Sequence, residues 1–165
     1  TGTIMTYFQY DILPDILCLA KGIGAGFPMG AFVANKKFAA AMEPGDHGST
    51  YGGNPMAGQA CRTVFKILED TKMIDHVQDI SEYLIEKLDD LQEEFPCIKE
   101  RRGLGLMIGL EFNKPVKDIV KTCLDLGLIV VTAGTHVVRM LPPFITTEKD
   151  VDQAIAILKE AIEKN

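Results

Sequence analysis

The sequence carries no excess of basic charge, no CxxC pair, no histidines at metal-ligand spacing and no membrane-length apolar run. Each absence excludes a class. With 17 Lys and Arg against 23 Asp and Glu, a net charge of −6 and a pI near 5.0, it lacks the footprint of a nucleic-acid binder or a polybasic membrane-surface protein. No apolar run reaches the ~18 residues a membrane span needs, and there is no signal-peptide pattern. The four cysteines, 18, 61, 97 and 123, lie among apolar or helical neighbours. They are expected to be buried free thiols in a reducing cytosol rather than a disulfide framework or zinc site. His47, His76 and His136 are scattered, so no metal is expected.

What remains is the balance of a globular protein: 165 residues, 47% apolar and 24% charged, enough to bury a core. The acidic charge is concentrated in residues 61–100, with 11 acidic groups against 5 basic, as on the solvated face of helices. Residue 1 is Thr, and by residue 16 the chain is already in a buried-strand pattern, ILCLA. Such a strand needs neighbours that few preceding residues could supply, so the chain is expected to be a piece of something longer.

Glycine divides the chain unevenly, ten of fifteen falling within residues 1–60. That region is loop-rich. Asn54 followed by Pro55 then starts a helix predicted over 55–70. A second is predicted over 74–95, where Val77, Ile80, Leu84, Leu88, Leu91 and Phe95 recur at helical spacing and Pro96 stops it. GLGLMIGLEF (103–112) is predicted to be a buried strand. A helix over 116–126 ends at Gly127, and LIVVTA (128–133) and HVVRMLPP (136–143) form two strands around a turn at Gly134. A last helix starts near Thr147 with Val151, Ala154, Ile155, Leu158 and Ile162 on one face. Residues 74–165 are thus a compact α/β unit, and 1–54 a glycine-rich remnant of another.

Three segments carry candidate chemistry. In DILCLAKGIGAGFPMGA (15–31) an apolar strand ends in Lys21, and Gly22, Gly24, Gly26 and Gly30 follow. Sites in α/β sheets cluster beyond the carboxyl ends of strands, and glycines let a ligand approach the backbone closely. A Walker-type loop does not fit, because there the lysine follows the glycines. A dinucleotide fingerprint does not fit either, because Phe27 stands where its third glycine belongs. A Schiff-base lysine at the edge of a desolvated pocket fits; so does an exposed lysine capping a strand.

GDHGSTYGGNP (45–55) sets Ser49 and Thr50 among glycines just before a helix start. Hydroxyls and backbone N–H groups in that position make a phosphate cradle, or the segment is an ordinary connector. Arg139, in VVRMLPP, lies inside an apolar strand. It needs a carboxylate partner or a cleft: a structural ion pair, or a two-pronged clamp for a substrate carboxylate.

Together these segments resemble the class-III (subgroup II) aminotransferases. TGT resembles the end of the family's GRTG segment, and PDILCLAKGIGAGFPMGA its cofactor-lysine segment. HGSTYGGNPMA resembles its phosphate-contact segment, RGLGLMIGLEF its small-domain strand and VVRMLPPFITTEKDVDQAI its C-terminal end. The resemblance covers nearly the whole chain, in order. It implies an α/β fold of the fold-type I kind, with pyridoxal 5′-phosphate (PLP) as cofactor and amino acids and 2-oxo acids as substrates in a cytoplasmic homodimer. It implies that Lys21 is catalytic and holds PLP, that Thr50 contacts the cofactor phosphate across the dimer interface, and that Ser49 and Arg139 bind substrate. It further implies that 1–54 is the remnant of a large cofactor domain, 55–73 an interdomain helix and 74–165 the small domain. The family's ring-stacking aromatic, pyridine-paired aspartate and first phosphate loop all precede GRTG. A non-catalytic, packing role with Lys21 idle is the competing class.

Overall fold

The computed structural model describes every residue from Thr1 to Asn165. The fold is mixed α/β, and the chain divides into two compact units, Met5–Lys72 and Thr1–Ile4 with Met73–Asn165. No helix is long and apolar enough to cross a membrane.

In the first unit, strand β1 (Ile16–Ala20) and strand β2 (Gly30–Ala34) form an antiparallel pair, Ile16 opposite Ala34 and Ala20 opposite Gly30. A 3-10 turn, Lys21–Gly24, leaves the end of β1. A short helix, α1 (Lys36–Ala39), follows β2, capped by Asn35. Helix α2 (Pro55–Asp70) begins where the Asn54–Pro55 signal placed it. The Asn54 side chain accepts the Ala57 N–H at 2.9 Å and donates to the Tyr51 carbonyl at 2.8 Å, so one side chain closes the loop and satisfies a donor the helix start leaves open.

Strand β1 has the pattern of a buried strand but is left uncovered here, as its lack of neighbouring strands leads one to expect. Its residues alternate exposed and half-buried, Ile16 is 52% exposed, and Cys18 is an exposed thiol. The sheet has two strands and nothing sandwiches them, so an apolar strand stays open to solvent. Of the other thiols, Cys123 is buried, while Cys61 and Cys97 are only partly so.

The second unit holds the core. Helix α3 (Met73–Glu94) presents Val77, Ile80, Leu84, Leu88 and Leu91, all nearly fully buried. They pack on a four-stranded antiparallel sheet ordered β3 (Ile98–Leu104), β4 (Met107–Phe112), β6 (Val137–Met140), β5 (Val131–Thr132). Ile108, Leu110 and Phe112 of β4 and Val138 and Met140 of β6 point into this core, as the two-residue period of a half-covered sheet requires. Helix α4 (Lys117–Asp125) adds Ile119 and Cys123, and helix α5 (Glu148–Glu163) adds Val151, Leu158 and Ile162. Each fully buried large aliphatic contributes roughly 1.5–3 kcal/mol.

Local signals end these helices where expected. Gly127 (φ 93°) donates to the Leu124 carbonyl and Leu128 to that of Cys123, the paired bonds of a Schellman cap on α4. Thr147 and Asp150 form a reciprocal capping box at the start of α5.

Two strand expectations need correction. GLGLMIGLEF is not one strand but the end of the first arm, the turn and the second arm of a hairpin: Leu104 pairs with Met107, and Gly105 (φ 56°) takes the first position of a two-residue turn, as a II′ geometry requires. The apolar run hid the turn because Leu106 is itself buried. The strands at 128–133 and 136–143 are also shorter than predicted. Val131 pairs with Arg139 and Thr132 with Val138; continuing that register brings Leu128 opposite Pro142, which has no N–H to give.

Candidate active site

Lys21 is the first residue after β1 and is exposed. Its backbone is left-handed (φ 58°), a conformation uncommon outside glycine and often kept at functional positions. Its amine makes no ion pair or hydrogen bond. The turn that follows is tight: Ala25 (φ 48°) donates to the Gly22 carbonyl and Phe27 to that of Gly24. Gly24 is buried under Met29, and a Cβ there would lie 2.9 Å from the Met29 Cγ. Glycine is therefore a packing requirement at 24, and α2 packs against the same turn.

The far end of the lysine loop meets the hydroxyl segment. Pro28, Met29 and Gly30 line a cavity of about 420 Å³ with Ser49, Gly52, Gly53 and the first turn of α2. Gly53 (φ 71°) and the bond from Gly52 N–H to the Ser49 carbonyl shape its floor. Ser49 lines this cavity; Lys21 and Thr50 do not. Thr50 is exposed beside it, and neither hydroxyl is engaged in a hydrogen bond. The sequence reading missed the juxtaposition of Pro28–Gly30 with Ser49, because about twenty intervening residues separate them and no local pattern records it.

Arg139 belongs to the second unit. It sits in β6 on the sheet face opposite the helices, between core residues Val138 and Met140. Its strand neighbours are Gly109 on β4 and Val131 on β5. The guanidinium takes part in no ion pair, and its Nε is buried without a hydrogen-bond partner. The structural ion pair considered for this residue is therefore absent. An unsatisfied buried donor of this kind is uncommon in folded proteins.

On the same face, Arg102 lies opposite Gly109 from the other side, and Glu111 lies one pleat along β4. Arg102 pairs with Glu100 at 2.8 Å and also with Glu111. The Arg102 guanidinium, by hydrogen bond and charge, holds the Glu111 carboxyl below its ordinary value. The sequence shows three charged residues near one another here; which of them pair is set by strand register.

The family model described as Aminotransferase class-III matches residues 1–162. Acetylornithine aminotransferase of Clostridium acetobutylicum is 42% identical over 162 residues, covering 98% of this chain and 42% of that protein. The enzyme of the same name from Methanocaldococcus jannaschii is 41% identical over 160 residues, 97% of this chain and 40% of that protein. Among solved structures, acetylornithine aminotransferase from Elizabethkingia anophelis superposes with a TM-score of 0.91 at 26% identity, covering 100% of this chain and 43% of that one. Ornithine aminotransferase from Plasmodium yoelii gives 0.92 at 28%, covering 99% and 44%. The chain spans about two fifths of the length of the curated relatives it matches. With almost its whole length inside one family model, the chain belongs to the class-III aminotransferases.

Proposed function

We propose that this chain is the C-terminal part of a PLP-dependent enzyme that moves an amino group between N-acetylornithine and 2-oxoglutarate, a step of arginine biosynthesis. The observation that carries the reading is the unengaged amine of Lys21 at the end of β1, followed by a glycine turn. The activity is assigned to the longer protein, a cytoplasmic homodimer, and not to this chain alone. Residues 1–54 are proposed as part of its large cofactor domain, 55–73 as an interdomain helix and 74–165 as its small domain.

The residues present fit PLP. Lys21 offers a primary amine with no competing partner. Ser49, Thr50 and the backbone around Gly52 and Gly53 lie at the positive end of α2, where an anion is favoured. In this reading Lys21 holds the cofactor, and Thr50 contacts the phosphate held by the partner protomer. When bound, PLP supplies the electron sink that makes the amino-bearing carbon acidic. The chain's own contribution is a base and a clamp. The ε-amine of Lys21, once released, takes a proton on Nζ and returns it. Arg139 binds the substrate α-carboxylate through two parallel N–H donors, and Ser49 touches the substrate.

Acetylornithine is favoured as the donor because the curated relatives at 41–42% identity are named for it. 4-Aminobutyrate and succinylornithine are further donors for the same assay. The test is to supply the full-length protein with each donor and 2-oxoglutarate, measure glutamate, and fix the cofactor with borohydride before peptide mapping. Glutamate formed fastest from N-acetylornithine, with the cofactor on Lys21, is expected. A label on another lysine, or no glutamate from any donor, refutes the reading.

A further inference from the structure

Gly24 ends the turn that follows Lys21, and its backbone is one that alanine also adopts. What excludes a side chain there is Met29. A Cβ at 24 would lie 2.9 Å from the Met29 Cγ and 3.3 Å from its Sδ, while the next neighbour, the Phe27 Cβ, is at an ordinary 3.7 Å. Met29 therefore occupies the space that the missing side chain leaves. The same residue lines the cavity that Pro28 and Gly30 share with Ser49, Gly52 and Gly53. Helix α2 bounds both features: it packs on the lysine turn, and its first residues line the cavity. An unbranched thioether is suited to filling such an irregular gap. One half-buried side chain is thus common to the lysine turn and the hydroxyl loop, which are far apart in sequence.

We infer that Met29 is a positioning residue: seated over Gly24, its side chain sets the lysine turn and the wall of the cavity beside Ser49 together. The inference rests on the reading that Lys21 holds the cofactor and that the hydroxyl loop receives a cofactor phosphate. It adds the part that keeps the two in register. Close-packed side chains yield little, so a displacement at 24 is passed on to the cavity instead of being absorbed. Glycine at 24 is then required by the site as well as by the turn, although it touches no ligand.

The test compares Gly24→Ala, Met29→Ala, the double variant and Met29→Leu in the full-length protein. Hydrogen exchange is read over residues 22–27 and 49–53 without cofactor, and the Kd of PLP is measured on reloading. Gly24→Ala must push Met29 aside, and Met29→Ala leaves its space empty. Each is expected to speed exchange in both segments and to weaken PLP binding about three- to tenfold, the effect of losing a partly buried side-chain contact. The double variant is expected to lose less than the two single changes combined, because the new Cβ enters the space that Met29 vacates. Met29→Leu, close to methionine in volume, is expected to match the unaltered protein. If Met29→Ala does not fold, Met29→Val makes the same comparison with a smaller truncation. Exchange at 49–53 that is unchanged in both single variants, or losses in the double variant that simply add, overturns the inference and leaves the roles of Lys21 and the hydroxyl loop intact. Coupled exchange with PLP binding unchanged in every variant supports the packing link and overturns the phosphate reading of the hydroxyl loop.

Discussion

Arg139 faces Gly109 on one side and Val131 on the other, so neither directly opposed residue can neutralise its charge. If this arginine clamps a carboxylate, Arg139→Lys in the full-length enzyme should raise KM and lower kcat/KM while cofactor binding survives. Lysine keeps the charge and loses the two-pronged geometry, a loss of about 1.5–3 kcal/mol for a charged hydrogen bond. Steady-state kinetics beside the cofactor absorption spectrum check this. Loss of cofactor with unchanged substrate affinity would assign Arg139 a structural role.

Lys21 is exposed and contributes little to packing. Lys21→Ala should therefore change the stability of this chain, free of cofactor, by no more than about 0.5 kcal/mol. The same substitution in the full-length enzyme should remove the lysine-linked cofactor band and essentially all transamination, since no other amine replaces it. Thermal unfolding and turnover, measured together, separate the two effects.

Gly103 and Gly134 both have positive φ, 137° and 71°, but their surroundings differ. A Cβ at 103 would lie 2.1 Å from the Met107 carbonyl oxygen, whereas one at 134 meets open space. Gly103→Ala should destabilise the second unit by roughly 2–4 kcal/mol, combining backbone strain with overlap that backbone must relieve. Gly134→Ala should cost about 1 kcal/mol from conformation alone. Denaturant unfolding of the two variants should rank them in that order.

The capping box makes stability depend on pH. Hydrogen bonds from the Thr147 hydroxyl at 2.7 Å and the Thr147 N–H at 2.9 Å hold the Asp150 carboxyl below its ordinary value. A carboxyl depressed in the folded state binds its proton more readily when unfolded. Its contribution is therefore present above the ordinary aspartate range and is lost as pH falls through the lowered folded value. Asp150→Asn should flatten the acid limb of the melting-temperature profile. Thr147→Ala should lower stability by about 1 kcal/mol at neutral pH.

The thiols and amides report how differently the two sheets are covered. Burial pushes the Cys123 thiol up to about 11, whereas Cys18 is exposed on β1. Alkylation of the native chain at pH 8 should label Cys18 quickly and spare Cys123 until unfolding. Hydrogen exchange should likewise be faster at Leu17–Ala20 than at Ile108–Leu110, because a two-stranded pair without a covered face is marginally stable. Equal protection would show that β1 is better covered than its open faces indicate.

The sequence by itself determined the four longer helices and their ends. Asn54 before Pro55, Gly127, and Thr147 with Asp150 act within a turn or two of chain, and the helical spacing of Val77, Ile80, Leu84, Leu88 and Leu91 is equally local. The place of Lys21 after a strand was legible for the same reason. Tertiary structure alone decided the turn within GLGLMIGLEF, the shortness of β5, the exposure of Cys18 and the juxtaposition of Ser49 with Pro28–Gly30. It also decided which arginine holds Glu111. These outcomes depend on pairing between distant segments, where a shift of one residue in register exchanges one sheet face for the other. A strand's composition states that it wants a covered face, but only the strands and helices around it determine whether that face is covered.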